Sequence, residues 1–378
     1  MNLPTSTANI PENAAQLAQV TSWTDDTLCI VCVTDKDGAV GWGQCAPYAA
    51  PVTSELLHRL IVPRVLSRPC EPIGPLVDGL FDELYKFSGS FLCRAIGGLD
   101  TALWDLAARR RGVPVCELAG GRPRSLPVYA SSMRRDLTPE GEAERMLAIR
   151  EAHGITAFKC KIGAALGRLG RNEDAAPGRS EAIIPLLRRT LGNEATLIAD
   201  ANGAYTPDQA LVHARHLAEH GYAAFEEPCP STEIDWIAEV RAAGGIAIAG
   251  GEQDYLLPSW RRLINLPAID ICQPDIGYVG GFHRALTVAR MADAAGRHCT
   301  SHVANHSALL VFGMHLLSAI ARPWSHLEYS LDRNASFEGL YEEPAVRDGR
   351  LPAPSGPGWG ITFDPARLAR MSRRDSAA

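Results

Sequence analysis

Lys159 and Lys161 are followed along the chain by Asp200, Glu226, Glu252, Asp275, His302 and Glu328, with steps from Asp200 onward of 26, 26, 23, 27 and 26 residues. A strand, a turn, a helix and a second turn need about that many residues. Short apolar runs precede several of them: Thr196-Leu-Ile-Ala before Asp200, Tyr222-Ala-Ala-Phe before Glu226, Ile246-Ala-Ile-Ala before Glu252, and Ile269-Asp-Ile-Cys before the Gln-Pro that leads to Asp275. This pattern places each charged residue at the C-terminal mouth of a parallel barrel, where barrel enzymes hold their chemistry.

Three carboxylates on consecutive strand ends, Asp200, Glu226 and Glu252, repel one another and push one another's pKa upward. A divalent cation removes the conflict. An all-oxygen set without Cys or His favours Mg²⁺ over Zn²⁺. The competing reading is that each carboxylate caps the helix after its strand. Lys159 and Lys161 are two apart on a strand and face the same way, with Cys160 facing the helix layer. Two ammonium groups close to a metal are expected to depress each other's pKa, and a lysine lowered toward neutrality can take a proton from carbon. Asp275 and His302 sit on successive strand ends, where a carboxylate at the far ring nitrogen fixes the tautomer and raises imidazole basicity. His302 is then a second acid/base facing Lys161.

Other residues are weaker candidates. Glu328 is expected to hydrogen-bond a substrate carboxylate if protonated, or else to be structural. Asn202, Ser131, Ser132, Arg134 and the Gly170-Arg-Asn-Glu-Asp stretch could serve substrate hydroxyls. His298, His302 and His306 would align as zinc ligands only on a helix, and Gly296 to Val303 reads as strand then loop.

These side chains need two kinds of scaffold. Residues 1–125 read as an α+β cap. They include strands at Thr27–Thr34 and Ala39–Cys45 around Asp35-Lys-Asp-Gly, no obvious strand before Ala18, and helical periodicity from Val52 to Ala107. Residues 126–350 read as the barrel, with Leu126–Ser132 as its first strand, a Thr138-capped helix to about His153, and a long loop at 164–180 before a helix from Glu181 to Thr190. Residues 351–378 read as a tail that returns to the cap. The chain of 378 residues is long for one core, and a net charge of −6 gives no basic footprint for nucleic acid. No apolar run approaches the ~20 residues that span a bilayer, and no secretory signal is evident. Ten scattered cysteines suggest no disulfide framework and a reduced, cytoplasmic setting. Cys29 and Cys32, three apart on a strand, point to opposite faces and read as core residues.

The combination resembles the enolase superfamily, in particular the mandelate racemase subgroup. The resemblance rests on GGLDTALWDLAARRRGVPVCELAGG in the cap, Lys159-Cys-Lys161, Asp200-Ala-Asn, the first Glu of Glu226-Glu-Pro, Gly251-Glu252 and the Asp275/His302 pair. It implies a (β/α)₇β modified TIM barrel with an α+β cap completed by the tail. It implies one Mg²⁺ on Asp200, Glu226 and Glu252, bases Lys161 and His302 on opposite faces, and Lys159 and Glu328 beside the substrate carboxylate. Barrels of this kind commonly associate, so a homo-oligomer is expected.

Proton removal α to a carboxylate gives an enediolate whose charge a metal can spread. Loss of a β-hydroxyl then gives a 2-keto-3-deoxy acid. The expected function is Mg²⁺-dependent dehydration of a sugar acid, an aldonate or aldarate. The alternatives are a racemase or epimerase using the same two bases, and a barrel that only binds a sugar acid or metal.

Overall fold

The computed structural model describes residues 15–164 and 174–378. Eight strands form one parallel ring in chain order: β4 (Leu126–Ser131), β5 (Ala157–Lys161), β6 (Thr196–Asp200), β7 (Ala224–Glu226), β8 (Ile248–Gly250), β9 (Ile271–Cys272), β10 (His298–Cys299) and β11 (Leu327–Ser330). The last strand returns to the first, with Leu327 opposite Val128 and Ser330 opposite Ser131. Hydrogen bonds from Trp324 N to Cys299 O (2.7 Å) and from Cys299 N to Arg322 O (3.1 Å) carry the ring across to β10. A helix follows each strand from β4 to β10. This is the (β/α)₇β barrel expected from the sequence.

Strand alternation sorts the side chains. Tyr129, Ala157, Ile198, Ala224, Ala249 and Ile271 make a small cluster inside the ring. Phe158, Cys160, Leu197, Ala199 and Phe225 face out to the helices and join the main core. Lys159, Lys161, Asp200 and Glu226 share the inward parity. Register then aligns Lys161 with Asp200, and Asp200 with Glu226, across adjacent strands.

The cap sheet has the order β13-β1-β2-β3, with β1 Leu17–Thr24, β2 Cys29–Asp35, β3 Val40–Gln44 and β13 Ser372–Ala377. A two-residue strand, β12 (Arg350–Leu351), pairs antiparallel with β4. The sequence shows β2 and β3 but hides β1 and β13. In β1 the buried Thr21, Ser22 and Thr24 break the alternation. Ser22 Oγ, for example, lies 2.9 Å from His58 Nε2. The outermost strand, β13, is Ser-Arg-Arg-Asp-Ser-Ala, the charged composition that suits an edge. The helix after the long loop is Arg179–Leu191, slightly longer than expected. All ten cysteines are buried and unpaired, Cys29 and Cys32 among them.

The long cap helix Ser90–Arg111 lies directly on β3. Its backbone comes so close that a Cβ on Gly43 would stand 2.4 Å from Ala102 N, and only glycine permits that approach. Asp105, fully buried on this helix, accepts hydrogen bonds from Trp42 N and Trp359 N (both 2.8 Å) and from Arg109 Nε (2.6 Å). One carboxylate thus joins the cap sheet, the cap helix and the tail. Asp100, a turn and a half earlier, accepts from Phe282 N at the start of the barrel helix Phe282–Ala294 (2.5 Å). Gln44 bonds Ser307 Oγ (2.9 Å) and Ala308 N (3.0 Å).

Asp105→Ala leaves two backbone N–H groups buried without acceptors, and each such group costs about 1–3 kcal/mol. We expect a loss of roughly 3 kcal/mol, read from the urea midpoint at unchanged slope, whereas removing the exposed Arg59–Glu55 pair should leave the midpoint nearly unmoved.

Candidate active site

The structure gathers the predicted residues at the C-terminal ends of the strands. Lys159 Nζ lies 2.5 Å from Glu226 Oε1, 2.7 Å from Glu328 Oε1 and 3.6 Å from Asp200 Oδ2. Lys161 Nζ pairs with Asp200 Oδ2 and donates to Asn202 Oδ1 at 2.9 Å. Gln273 Nε2 donates to Glu226 Oε2 at 2.8 Å. His302 lies between two carboxylates, with Nδ1 2.8 Å from Asp275 Oδ2 and Nε2 3.2 Å from Glu252 Oε2. All of these groups are buried.

Asp275 does two jobs: beside holding His302, its Oδ1 caps the short helix Ile276–Val279 through Tyr278 N (3.0 Å). The three histidines do not converge. His298 is exposed on β10, and His306 is held by Glu343 Oε1 (2.7 Å) and Ser330 O (2.9 Å).

Charge is unevenly distributed here. The buried acids Asp200, Glu226, Glu227, Glu252, Asp275 and Glu328 outnumber Lys159, Lys161 and His302. Burial pushes Glu226 up to about 8; Lys159 opposes this, and the neighbouring Asp200, Glu328 and Glu252 add to it. Burial opposes ionisation of Glu328 as well, yet Lys159 and His302 pull it down to about 2, helped by the N–H of Val303 (2.8 Å). Ser131 Oγ donates to the same carboxylate at 2.7 Å. Burial lowers His302, but Glu252 and Asp275 outweigh it and raise the imidazole to about 10.

Two expectations meet a different field among these side chains. Lys159 is not depressed by its lysine neighbour. Burial works against its charge, but Glu226 and Glu328 hold it well above the ordinary lysine value. Glu328 is drawn toward its ionised form and accepts from Ser131 Oγ and Val303 N.

Other residues needed the backbone to be found. Glu227 should face away from Glu226 by strand alternation, but its φ of +43° turns it inward, where it is buried. Its Oε1 has no hydrogen-bond partner among the described residues, while Oε2 lies 3.4 Å from Asn202 Nδ2. Arg134 turns outward to Asp136. The next residue, Arg135, turns in and donates to Asn202 Oδ1 at 2.8 Å. Ser132 faces Arg145, whose Nη1 is 3.2 Å from its Oγ. Of the Gly170–Asp174 stretch, residues 170–173 lie outside the described residues, and Asp174 accepts from Ser180 N (2.8 Å).

As placed, the carboxylates close on lysines, and among the described residues no three acidic, histidine or cysteine side chains are drawn onto a common metal position. The donor set nevertheless suits a hard cation. It is all oxygen and spread over three adjacent strand ends, and it is crowded enough to raise Glu226 and to hold Glu227 well above its ordinary range through burial, Glu252, Asp200 and Glu226.

Residues 141–367 match the enolase C-terminal domain-like family, and residues 5–120 match the mandelate racemase / muconate lactonizing enzyme N-terminal domain. An arabinonate dehydratase of Saccharolobus solfataricus is 28% identical over 88% of this chain and 87% of its own. A Roseobacter denitrificans protein provisionally assigned as a racemase has a solved structure with a TM-score of 0.92 and 42% identity, covering 96% of this chain and all of its own. The magnesium complex of a mandelate racemase/muconate lactonizing protein from Paracoccus denitrificans gives a TM-score of 0.86 at 27% identity, covering 96% and 99%. No described helix is long and apolar enough to cross a membrane. With both domains matched in order over nearly the whole length, the chain belongs to the enolase superfamily, in its mandelate racemase/muconate lactonizing enzyme branch.

Proposed function

We propose that the protein is a Mg²⁺-dependent sugar-acid dehydratase, a lyase of the cytoplasm that converts an aldonate or aldarate to a 2-keto-3-deoxy acid. The observation that carries this reading is the pairing of unlike groups across the mouth. Lys161 ends β5, and His302 follows β10, five strands further round a ring of eight. Asp275 Oδ2 holds His302 Nδ1 at 2.8 Å, and Glu252 Oε2 lies 3.2 Å from Nε2.

A proton donor facing a proton acceptor suits elimination. Lys161 takes the α-proton from C2, and the C–H electron pair moves into the carboxylate to form an enediolate. The enediolate collapses, the C3–O bond breaks, and His302 gives its proton to the departing hydroxyl, so that water leaves. The resulting enol tautomerises to the 2-keto acid.

Asp200, Glu226 and Glu252 would hold Mg²⁺, which when bound supplies positive charge next to the substrate carboxylate. Lys159 adds charge on the same side. Ser131, through Glu328, holds Lys159 in place. Asn202 positions Lys161. A second reading, racemisation or epimerisation, is favoured by the position of two acid/base groups on opposite faces, and a substrate without a β-leaving group would reveal it.

The test is a panel of acid sugars with Mg²⁺, scored for 2-keto acid, with chelator as control. We expect metal-dependent product from one or a few members, and a fall in kcat of about 10²–10⁴ in Lys161→Ala and His302→Ala. No keto acid from any member, together with α-proton exchange in D₂O, would replace dehydration by racemisation.

The pH dependence of stability has a definite sign. His302 is raised from 6.5 to about 10, so its contribution is full below about 6.5 and is lost as pH rises through about 10. With chelator present, wild type should lose stability between these limits. Asp275→Asn should be less stable at neutral pH and flatter across the window, and the His302 ring should titrate lower by NMR. An unchanged titration in Asp275→Asn would refute the clamp.

A further inference from the structure

Arg135 lies in the loop after β4, half-buried at the mouth. Its only hydrogen bond among the described residues runs from Nη2 to Asn202 Oδ1 (2.8 Å), the oxygen that also accepts from Lys161 Nζ (2.9 Å). Its Nε is buried and has no partner among the described residues. Asp200 attracts it, but only as a shared counter-ion. That carboxylate is already engaged by Lys161, by Lys159 at 3.6 Å and by Asn202 N at 2.8 Å.

Arg179, the first residue of the helix Arg179–Leu191, reinforces this positive corner. Its Nη1 and Nε donate to the backbone carbonyls of Lys161 (2.9 Å) and Leu137 (2.8 Å). Its Nη2 is buried and unpartnered among the described residues. Backbone carbonyls neutralise no charge; Glu142 and Asp136 lie within the field of Arg179, and the two guanidiniums are close enough to repel.

A guanidinium with open N–H groups is built for a carboxylate, which can take two of them at once. A sugar hydroxyl needs no full positive charge, and Asn202 offers neutral polar atoms for it. Arg135 and Lys161 share one acceptor oxygen, so their separation cannot exceed the sum of those two hydrogen bonds. The span from C2 of a C5 or C6 acid to its far carboxylate is of the same order.

We propose that Arg135 is a specificity-determining residue that binds the second carboxylate of a diacid, making the substrate an aldarate rather than an aldonate. This rests on the sugar-acid reading of the same site and narrows it.

The test pairs acids that differ only at the far end: xylarate against xylonate, and galactarate against galactonate, each with Mg²⁺. The wild-type protein should favour a diacid in kcat/KM. Arg135→Gln should lower the diacid-to-monoacid ratio by about 100-fold, since a charged group is then left without its partner. Arg135→Lys, which keeps the charge but not the fork, should fall between. The second arm is calorimetric binding of the same acids to Lys161→Ala protein with and without Arg135→Gln, where a diacid should bind more tightly only when Arg135 is present.

Arg135-dependent diacid binding without turnover of any acid would support the specificity role while removing the dehydratase reading. Dehydration of monoacids in preference to diacids would keep that reading and overturn the inference. Equal losses on both acids of a pair, or no binding of either diacid, would also overturn it.

Discussion

The mouth of the barrel is governed by a shortage of positive charge. Strand alternation and register force acidic side chains from successive strands into one buried space, where the buried Lys159, Lys161 and His302, with Arg135 at the rim, stand against them. Each titration described above follows from where a group sits relative to that shortage. Glu226 and Glu328 both touch Lys159, yet they move in opposite directions. Glu328 also receives the Val303 N–H and the Ser131 hydroxyl and lies within the field of His302. Among the described residues Glu226 receives only Gln273 besides the lysine, and it is flanked by Asp200 and Glu252. Hydrogen bonds to the charged form and the sign of the nearest neighbours decide the outcome once burial is common to both.

Such a cluster survives only in a rigid frame. The frame is supplied partly by the barrel and partly by buried carboxylates that have no place in the chemistry. Asp100 caps a barrel helix from the cap domain, and Asp105 joins the cap sheet to the tail at Trp359. Asp100 is fully buried, and burial pushes it up to about 7. Gln44, at the end of β3, bonds the segment Ser307–Ala308, only a few residues beyond His302. The cap is therefore tied to the same loop that carries the proposed acid.

Much of this was legible in the sequence because it depends on periodicity. The spacing of charged residues after apolar runs locates the strand ends, and two-residue parity correctly directs Lys159 and Lys161 inward and Cys160 outward. The illegible parts lie where periodicity stops. Arg134 and Arg135 follow the end of β4, and no alternation says which of them turns in. Glu227 defies alternation through a left-handed backbone that its residue type does not announce. The strand β13 is written in arginine, serine and aspartate, and only its pairing with β1 makes it a strand. The neighbours of Lys159 are hidden for a related reason. Its lysine neighbour is visible in sequence, but the nearer Glu226 and Glu328 come from distant strands.

The two sides of the mouth are chemically unlike. On one side Lys161, Asn202 and Arg135 form a chain of donors and acceptors around Asp200. On the other, His302 is clamped by Asp275 and Glu252, and the ring of Tyr278 lies 6.3 Å from it. Arg94 of the cap helix stacks 3.8 Å over Tyr278, so the cap reaches this side directly. Exchange of a proton between two faces of one carbon asks each side to act as acid and base in turn. Elimination asks for a base on one side and a donor on the other, and the donor needs to give its proton only to an oxygen that becomes strongly basic as its bond to carbon breaks. The asymmetry of the site is better matched to that demand.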